Sequence, residues 1–337
     1  MTQMETGDMT VSRNMALAGG ARVMGQTGMT VSRIGYGAME LAGAPKARDI
    51  TERDAIAFLN RVIDLGINYV DTSIDYGLSE VLIGKALSHR RDEFFLASKC
   101  ACEVGVEGVG HRGETHTYTG ANVTAGVEQS LRRLKTDHLD VVQVHGNPSR
   151  KELEDGGGIA ALVALQRRGL VRHLGISSRL PLIAEFLEVD AFDMVQVPYS
   201  ALQRQNEDVI AALRQAGKAI VARGVTGRGA PGKGWATRPI GTAAGEVMAL
   251  WDKAGLDDLL DGMSRIEFMI RFVLAHDDVD VALVATTDPA HLAEDIAYGA
   301  KGPLDGERLR LARQRLTAAG GGPGQGTYRG GGPTPVL

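Results

Sequence analysis

The sequence predicts an α/β protein, a single (β/α)8 or TIM barrel, on three observations. Short β-rich runs alternate with amphipathic helical patterns, the signature of parallel βα units. Eight such units follow one another, and ionisable residues fall at the C-terminal ends of the strands, where barrels of this kind place their chemistry. At 337 residues the chain is long enough for two average domains, but such a barrel takes about 250 residues as one. The simpler organisation is a loose extension over residues 1–21, a barrel over 22–318 and a glycine-rich tail over 319–337.

Met9-Thr-Val-Ser-Arg13 recurs as Met29-Thr-Val-Ser-Arg33. One five-residue echo is no solenoid repeat, and the second copy is read as the start of the first strand. Thr51-Glu-Arg-Asp54 has the form of a helix N-cap box; Ile56, Leu59 and Ile63 recur at helical spacing, and Gly66 ends that helix before a strand at 67–71. Val127, Leu131 and Leu134 repeat the pattern after a strand at 93–98. Further strands are expected at about 139–145, 171–176, 193–197, 218–222 and 281–285. Helices are expected near 158–168, 181–188, 206–216, 264–274 and 289–299. Residues 223–262 break the rhythm as a long insertion. The tail carries too few burial-capable side chains to offset its ordering entropy, with Tyr328 its one residue able to cap a pocket.

Hydrophobic residues make 44% of the chain and charged ones 23%, and the net charge is −4. That balance suits a protein with a large core and argues against nucleic-acid or anionic-membrane partners, which demand a clustered positive face. No apolar run reaches the roughly 18 residues of a membrane span, and the short apolar stretch Met15–Ala21 is too glycine-rich for a signal sequence. The expected location is cytoplasmic. Cys100 and Cys102, one residue apart, cannot build a disulfide framework. As a metal pair they would need His111 and His116; reduced thiols are the preferred reading, and no metal is assigned.

Four residues carry the chemistry: Asp71 and Tyr76 in Asn68-Tyr-Val-Asp-Thr-Ser-Ile-Asp-Tyr-Gly77, Lys99 ending Phe95-Leu-Ala-Ser-Lys99, and His145 ending Leu139-Asp-Val-Val-Gln-Val-His145. On neighbouring parallel strands they converge on one mouth. A phenol beside an ammonium, with a carboxylate holding the ammonium and an imidazole orienting an oxygen, makes a proton donor for a developing alkoxide. Lys99 is expected to favour the phenolate of Tyr76. Asp75 is expected to be exposed in its loop, and Asp140 to be structural. Singly, Asp71 and Lys99 would be an ordinary ion pair and Tyr76 a surface phenol.

These residues and their flanks resemble the aldo-keto reductase superfamily. The likeness includes Gly35-Tyr-Gly-Ala-Met39, Asp71-Thr-Ser-x-x-Tyr76-Gly with Ser79-Glu80, Lys99, His145, Gly175-Ile-Ser-Ser178, Gln196-Val-Pro-Tyr-Ser200 and Thr286-Thr-Asp-Pro-x-His-Leu-x-Glu-Asp295, in family order from about Arg22 to Pro303. The resemblance implies an oxidoreductase that interconverts a carbonyl, aldehyde or ketone, and an alcohol by hydride transfer with a nicotinamide cofactor, Tyr76 being the proton donor. Ser177, Ser178 and Gln196 correspond to the binders of the nicotinamide amide, although Ser178 stands where the family usually has Asn. Gly224 and Gly227, with Arg228, offer backbone N–H groups and charge to a pyrophosphate.

Two departures stand out. Arg223-Gly-Val-Thr226 replaces the family's Tyr-Ser-Pro-Leu, so a guanidinium takes the place of the stacking ring. A cation there opposes an oxidised, positive nicotinamide, which leaves the redox direction open. After the last strand, Thr286 keeps a hydroxyl and His291 replaces the Arg that grips a 2′-phosphate, while Glu294 and Asp295 face adenine. NADP(H) is therefore expected, with only a modest preference over NAD(H), through a neutral imidazole that offers one donor instead of a charged fork. Gly227 to Lys233 reads Gly-x-x-x-x-Gly-Lys, but Gly234 stands where a magnesium-binding Ser or Thr is required. A cofactor-loaded regulatory or binding subunit with vestigial turnover is the competing reading. A metal-dependent hydrolase finds no paired ligand spacing among the eight histidines. Met39, Glu40, Leu41, Asn147 and Trp235 are candidates to line the substrate pocket; oligomeric state is not legible.

Overall fold

Eight strands close a parallel barrel in the order β10-β3-β4-β5-β6-β7-β8-β9. The computed structural model describes residues 16–43, 47, 49–105, 116–227 and 249–324. The barrel strands are β3 (Ile34–Gly37), β4 (Tyr69–Asp71), β5 (Phe95–Cys100), β6 (Leu139–His145), β7 (Val171–Ser177), β8 (Met194–Pro198), β9 (Ala219–Arg223) and β10 (Val281–Val284). Before them, β1 (Ala21–Val23) pairs antiparallel with β2 (Thr30–Ser32).

The sequence expectation holds for the barrel and most of its boundaries, because apolar runs buried on both faces are hard to mistake. Helix starts hold as well: the Thr51 side chain accepts from the Asp54 amide at the head of Glu52–Asp64, and Leu65 and Gly66 close that helix. Val127 and Leu134 lie buried in Gly120–Leu134.

Four expectations are corrected. The echo Met29–Arg33 does not begin the first barrel strand, which starts at Ile34; Thr30–Ser32 belongs to the preceding hairpin. Its Met24, Met29 and Val31 are fully buried in one cluster with Tyr69, Phe95, Met194 and Val281, side chains from the lower ends of four barrel strands. The hairpin is thus a plug, covering apolar surface the barrel would otherwise expose. The extension expected over 1–21 already packs at its end: Ala18 is buried, its amide donates to the Gly66 carbonyl, and its carbonyl accepts from Ile34. At the insertion after β9, residues 249–259 join the outer layer, with Trp251 buried edge-on to Phe268 at 5.6 Å. Tyr328, Arg228 and Trp235 lie outside the described residues.

A helix over Gly306–Ala318, unforeseen in the sequence, follows the last βα unit and is tied to the barrel when Arg204 donates to the Arg313 carbonyl and Thr317 hydroxyl. Where a helix was expected over 181–188, a 3₁₀ turn spans Leu182–Phe186. No helix among the described residues is long and apolar enough to cross a membrane.

Gly175 in β7 sets how closely β8 approaches, since a Cβ there would lie 2.7 Å from the Met194 carbonyl. Backbone cannot yield as a side chain does, so Gly175→Ala is expected to cost about 1–3 kcal/mol of unfolding free energy in urea. An unchanged midpoint would show that β7 and β8 can part without loss.

Candidate active site

At the C-terminal mouth the strands deliver one buried ion pair. Lys99 Nζ, from the end of β5, donates to Asp71 Oδ2 (2.6 Å) and to the Thr72 carbonyl (2.7 Å), and both side chains are almost wholly buried. The other oxygen of Asp71 accepts from Gln143 Nε2 of β6 (2.8 Å) and Gln196 Nε2 of β8 (2.9 Å). One carboxylate therefore gathers donors from three other strands.

Tyr76, just past β4, sits with its ring 4.8 Å from Lys99 Nζ and edge-on to His145, whose ring centroid is 6.2 Å away. The four residues singled out from the sequence share one mouth. Their electrostatics differ from expectation in one respect. Burial raises the Tyr76 pKa more than any other influence; Lys99 and Arg223 lower it, Asp71 and Asp75 raise it, and the net shift is upward. The phenol stays protonated at neutral pH, and the phenolate is not favoured. For Lys99, burial disfavours the cation, but Asp71, Tyr76 and Asp75 outweigh it and hold the ammonium charged.

His145 is surrounded by groups the sequence reading passed over. Its Nδ1 lies 3.2 Å from Cys102 Sγ, 3.4 Å from Ser73 Oγ and 3.4 Å from Asp75 Oδ1. Asp75 is thus buried beside His145, where exposure was expected; Ser73 Oγ donates to it at 2.5 Å. Asp140 is structural as expected, bonded to Arg91, Arg172 and the Leu96 amide. Cys100 and Cys102 are free and buried. Gln143 was also missed, although a lone amide two residues before His145 shares its face of the strand and is the one signal that marks it.

The residues expected at a cofactor divide. Ser177 Oγ donates to Gln196 Oε1 (2.9 Å), so Gln196, already donating to Asp71, keeps one N–H and one lone pair for a ligand amide. Ser178 Oγ donates to Asn147 Oδ1 at 2.5 Å, which turns Asn147 toward β7. Arg223 ends β9, close enough to Tyr76 to lower its pKa. Gly224 and Gly227 adopt positive φ in a turn whose Gly227 amide donates to the Gly224 carbonyl, so that amide is already used. Thr286 accepts from the Asp288 amide at its hydroxyl and from Tyr36 at its carbonyl. His291 and Glu294 are exposed on the helix Pro289–Ala300. Asp288 caps that helix, accepting from the Ala290 and His291 amides, and its carboxylate lies 3.8 Å from His291 Nδ1. Asp295 is buried, and burial with the nearby Glu294 raises its pKa to about 7.

The fold and these motifs recur in known proteins. A model of the "Aldo/keto reductase family" matches residues 33–314. The chain is 31% identical over 212 residues to the uncharacterized oxidoreductase YqkF of Bacillus subtilis (strain 168), a match covering 62% of this chain and 65% of that protein. It is 31% identical over 207 residues to pyridoxine 4-dehydrogenase of Escherichia coli (strain K12), covering 57% of this chain and 68% of that one. These matches span only about two thirds of either relative's length. Among solved structures, the holo form of aldo-keto reductase AKR11C1 from Bacillus halodurans superposes with a TM-score of 0.73 at 28% identity, covering 88% of this chain and 95% of that one.

Removing Asp71 strands a buried ammonium together with two amide donors. Breaking a buried pair from one side typically costs about 3–5 kcal/mol, and Asp71→Ala is expected to lower the unfolding free energy by that much in urea. A loss below about 1 kcal/mol would show that Lys99 finds another partner.

Proposed function

This chain belongs to the aldo/keto reductase family, and on that premise we propose that it interconverts an aldehyde or ketone and the corresponding alcohol, with Tyr76 as proton donor. The observation that carries the reading is the placement of a protonated, half-buried phenol beside the Lys99–Asp71 pair and His145. The regulatory alternative has no observation in its favour.

The family uses a nicotinamide cofactor, and the mouth suits one. Gln143 Oε1 is a buried acceptor with no partner among the described residues, beside Ser177, Ser178 and Gln196, which retain donor and acceptor capacity. When bound, the nicotinamide supplies or accepts the hydride. The side chains handle the proton and the charge: Tyr76 Oη gives its proton to the carbonyl oxygen as negative charge develops there, Lys99 stabilises the phenolate left behind, and Asp71 fixes Lys99. His145 orients the same oxygen. Asp75 and Ser73 lie on its Nδ1 side, which leaves Nε2 for the substrate. Arg223 adds a second positive charge near Tyr76 and assists the phenolate in the same sense. In alcohol oxidation the proton returns to Tyr76.

Tyr76→Phe is expected to lower turnover by at least about 100-fold, as loss of a general acid does, with cofactor affinity little changed. The readout is cofactor absorbance against a panel of aldehydes and ketones. Near-normal turnover in the variant would sink the mechanism, and absence of turnover in the unaltered protein across the panel would sink the assignment.

For cofactor choice, an exposed imidazole beside the Asp288 carboxylate is a poor phosphate grip, so the NADP(H) preference proposed here is modest. His291→Arg supplies a charged fork at that position, and the Kd for NADPH is expected to fall at least about tenfold while that for NADH stays put. Equal changes for both cofactors would place the 2′-phosphate elsewhere.

A further inference from the structure

Cys102, His116 and His145 each offer one ligand atom, and these atoms all lie within 4.8 Å of one another. They come from three separate segments held in place by independent contacts. An antiparallel bridge pairs Cys102 with His116, and the adjoining Thr117 amide donates to the Ala101 carbonyl at 2.8 Å. The His116 ring lies parallel to Tyr118, with centroids 6.3 Å apart, and edge-on to His145 at 5.0 Å. Gly146 leaves the room for it: a Cβ there would lie 3.2 Å from the imidazole. The cluster is therefore built before any ligand arrives.

The His116 Nε2 atom is buried without a partner among the described residues, a costly state for a polar atom unless a ligand satisfies it. In a neutral imidazole one ring nitrogen carries a lone pair that a metal can take. Tetrahedral zinc, with Zn–S near 2.3 Å and Zn–N near 2.0 Å, sets sulfur and nitrogen about 3.5 Å apart. Cys102 Sγ and His145 Nδ1 are 3.2 Å apart, so a small outward shift admits the ion. Asp75, 3.4 Å from the same nitrogen, adds negative charge.

We propose that Cys102, His116 and His145 form a binding site for a thiophilic divalent cation of the zinc class at the barrel mouth, beside Tyr76. One thiolate and two imidazoles select such ions over magnesium or calcium, which prefer oxygen ligands. Binding through Cys102 takes the thiolate form, so a bound ion displaces the thiol proton. A metal on His145 Nδ1 leaves Nε2 free but fixes the ring and sets a dication beside it, so occupancy alters how His145 acts at the substrate oxygen, a consequence that rests on the function proposed above; metal binding itself does not.

The test uses the full chain stripped with a chelator and titrated with Co²⁺, then Zn²⁺. One equivalent of Co²⁺ is expected to raise a thiolate-to-cobalt charge-transfer band that Zn²⁺ abolishes and excess Mg²⁺ does not. Cys102→Ser is expected to remove the band, and His116→Ala to weaken Zn²⁺ binding at least about tenfold, comparable to the loss of a supporting contact in known sites. Zn²⁺ is expected to slow carbonyl reduction in parallel with occupancy. A band that survives in Cys102→Ser, or uptake below one equivalent, overturns the site. Should Cys102→Ser fail to fold, unchanged Zn²⁺ affinity in His116→Ala overturns it equally. Stoichiometric binding that leaves turnover untouched supports the site and overturns only its coupling to the reaction.

Discussion

The buried pair of Lys99 and Asp71 constrains the rest of the molecule. An ammonium and a carboxylate removed from water cost several kcal/mol each unless their hydrogen bonds are completed. Here completion requires groups from four strands: Asp71 ends β4, Lys99 lies in β5, Gln143 in β6 and Gln196 in β8. Slipping any of these strands by one residue would turn its side chain to the opposite face and leave a buried charge or amide unpaired. The pair thus acts as a register lock for half the barrel, and the same lock fixes the cation against the Tyr76 ring.

That arrangement decides what kind of acid Tyr76 is. Two effects compete on the phenol: burial, with the negative charges of Asp71 and Asp75, resists ionisation, while Lys99 and Arg223 favour it. Burial wins in the resting protein, so the phenol keeps its proton, as the proposed role of acid requires. The cations do not ionise Tyr76 beforehand. Their effect grows as the phenolate forms, which is the differential stabilisation that catalysis requires. Arg223 then has a physical place as a second cation near the acid, although the aromatic residue usual in the family is lost.

Legibility in the sequence followed the range of the interaction. Strand runs, the Thr51 cap and the four residues at strand ends were readable because each is marked by local period or residue type. The hairpin plug was not, since what makes Met24 and Met29 core residues is the open lower end of the barrel, built from Tyr69, Phe95, Met194 and Val281 far along the chain. Asp75 was misjudged for the same reason. One residue before Tyr76, it reads as a loop carboxylate until β6 brings His145 to it. Gln143 showed only as a lone amide in a largely apolar strand, and its partner Asp71 is 72 residues away.

The two ends of the site differ in how freely they tolerate substitution. At the Lys99 end the charges and the two amide donors are buried and shared, so a substitution strands a partner at a cost of several kcal/mol. At the start of the helix Pro289–Ala300, His291 is 64% exposed and faces a 44% exposed Asp288. Exchanges among solvated groups there change stability by only about 0.5 kcal/mol or less. The His in place of Arg at position 291 is such an exchange, whereas Asp71, Tyr76, Lys99 and His145 keep the pattern. Fold stability therefore restrains the chemistry of the mouth, while recognition of the cofactor's far end is left to ligand binding alone.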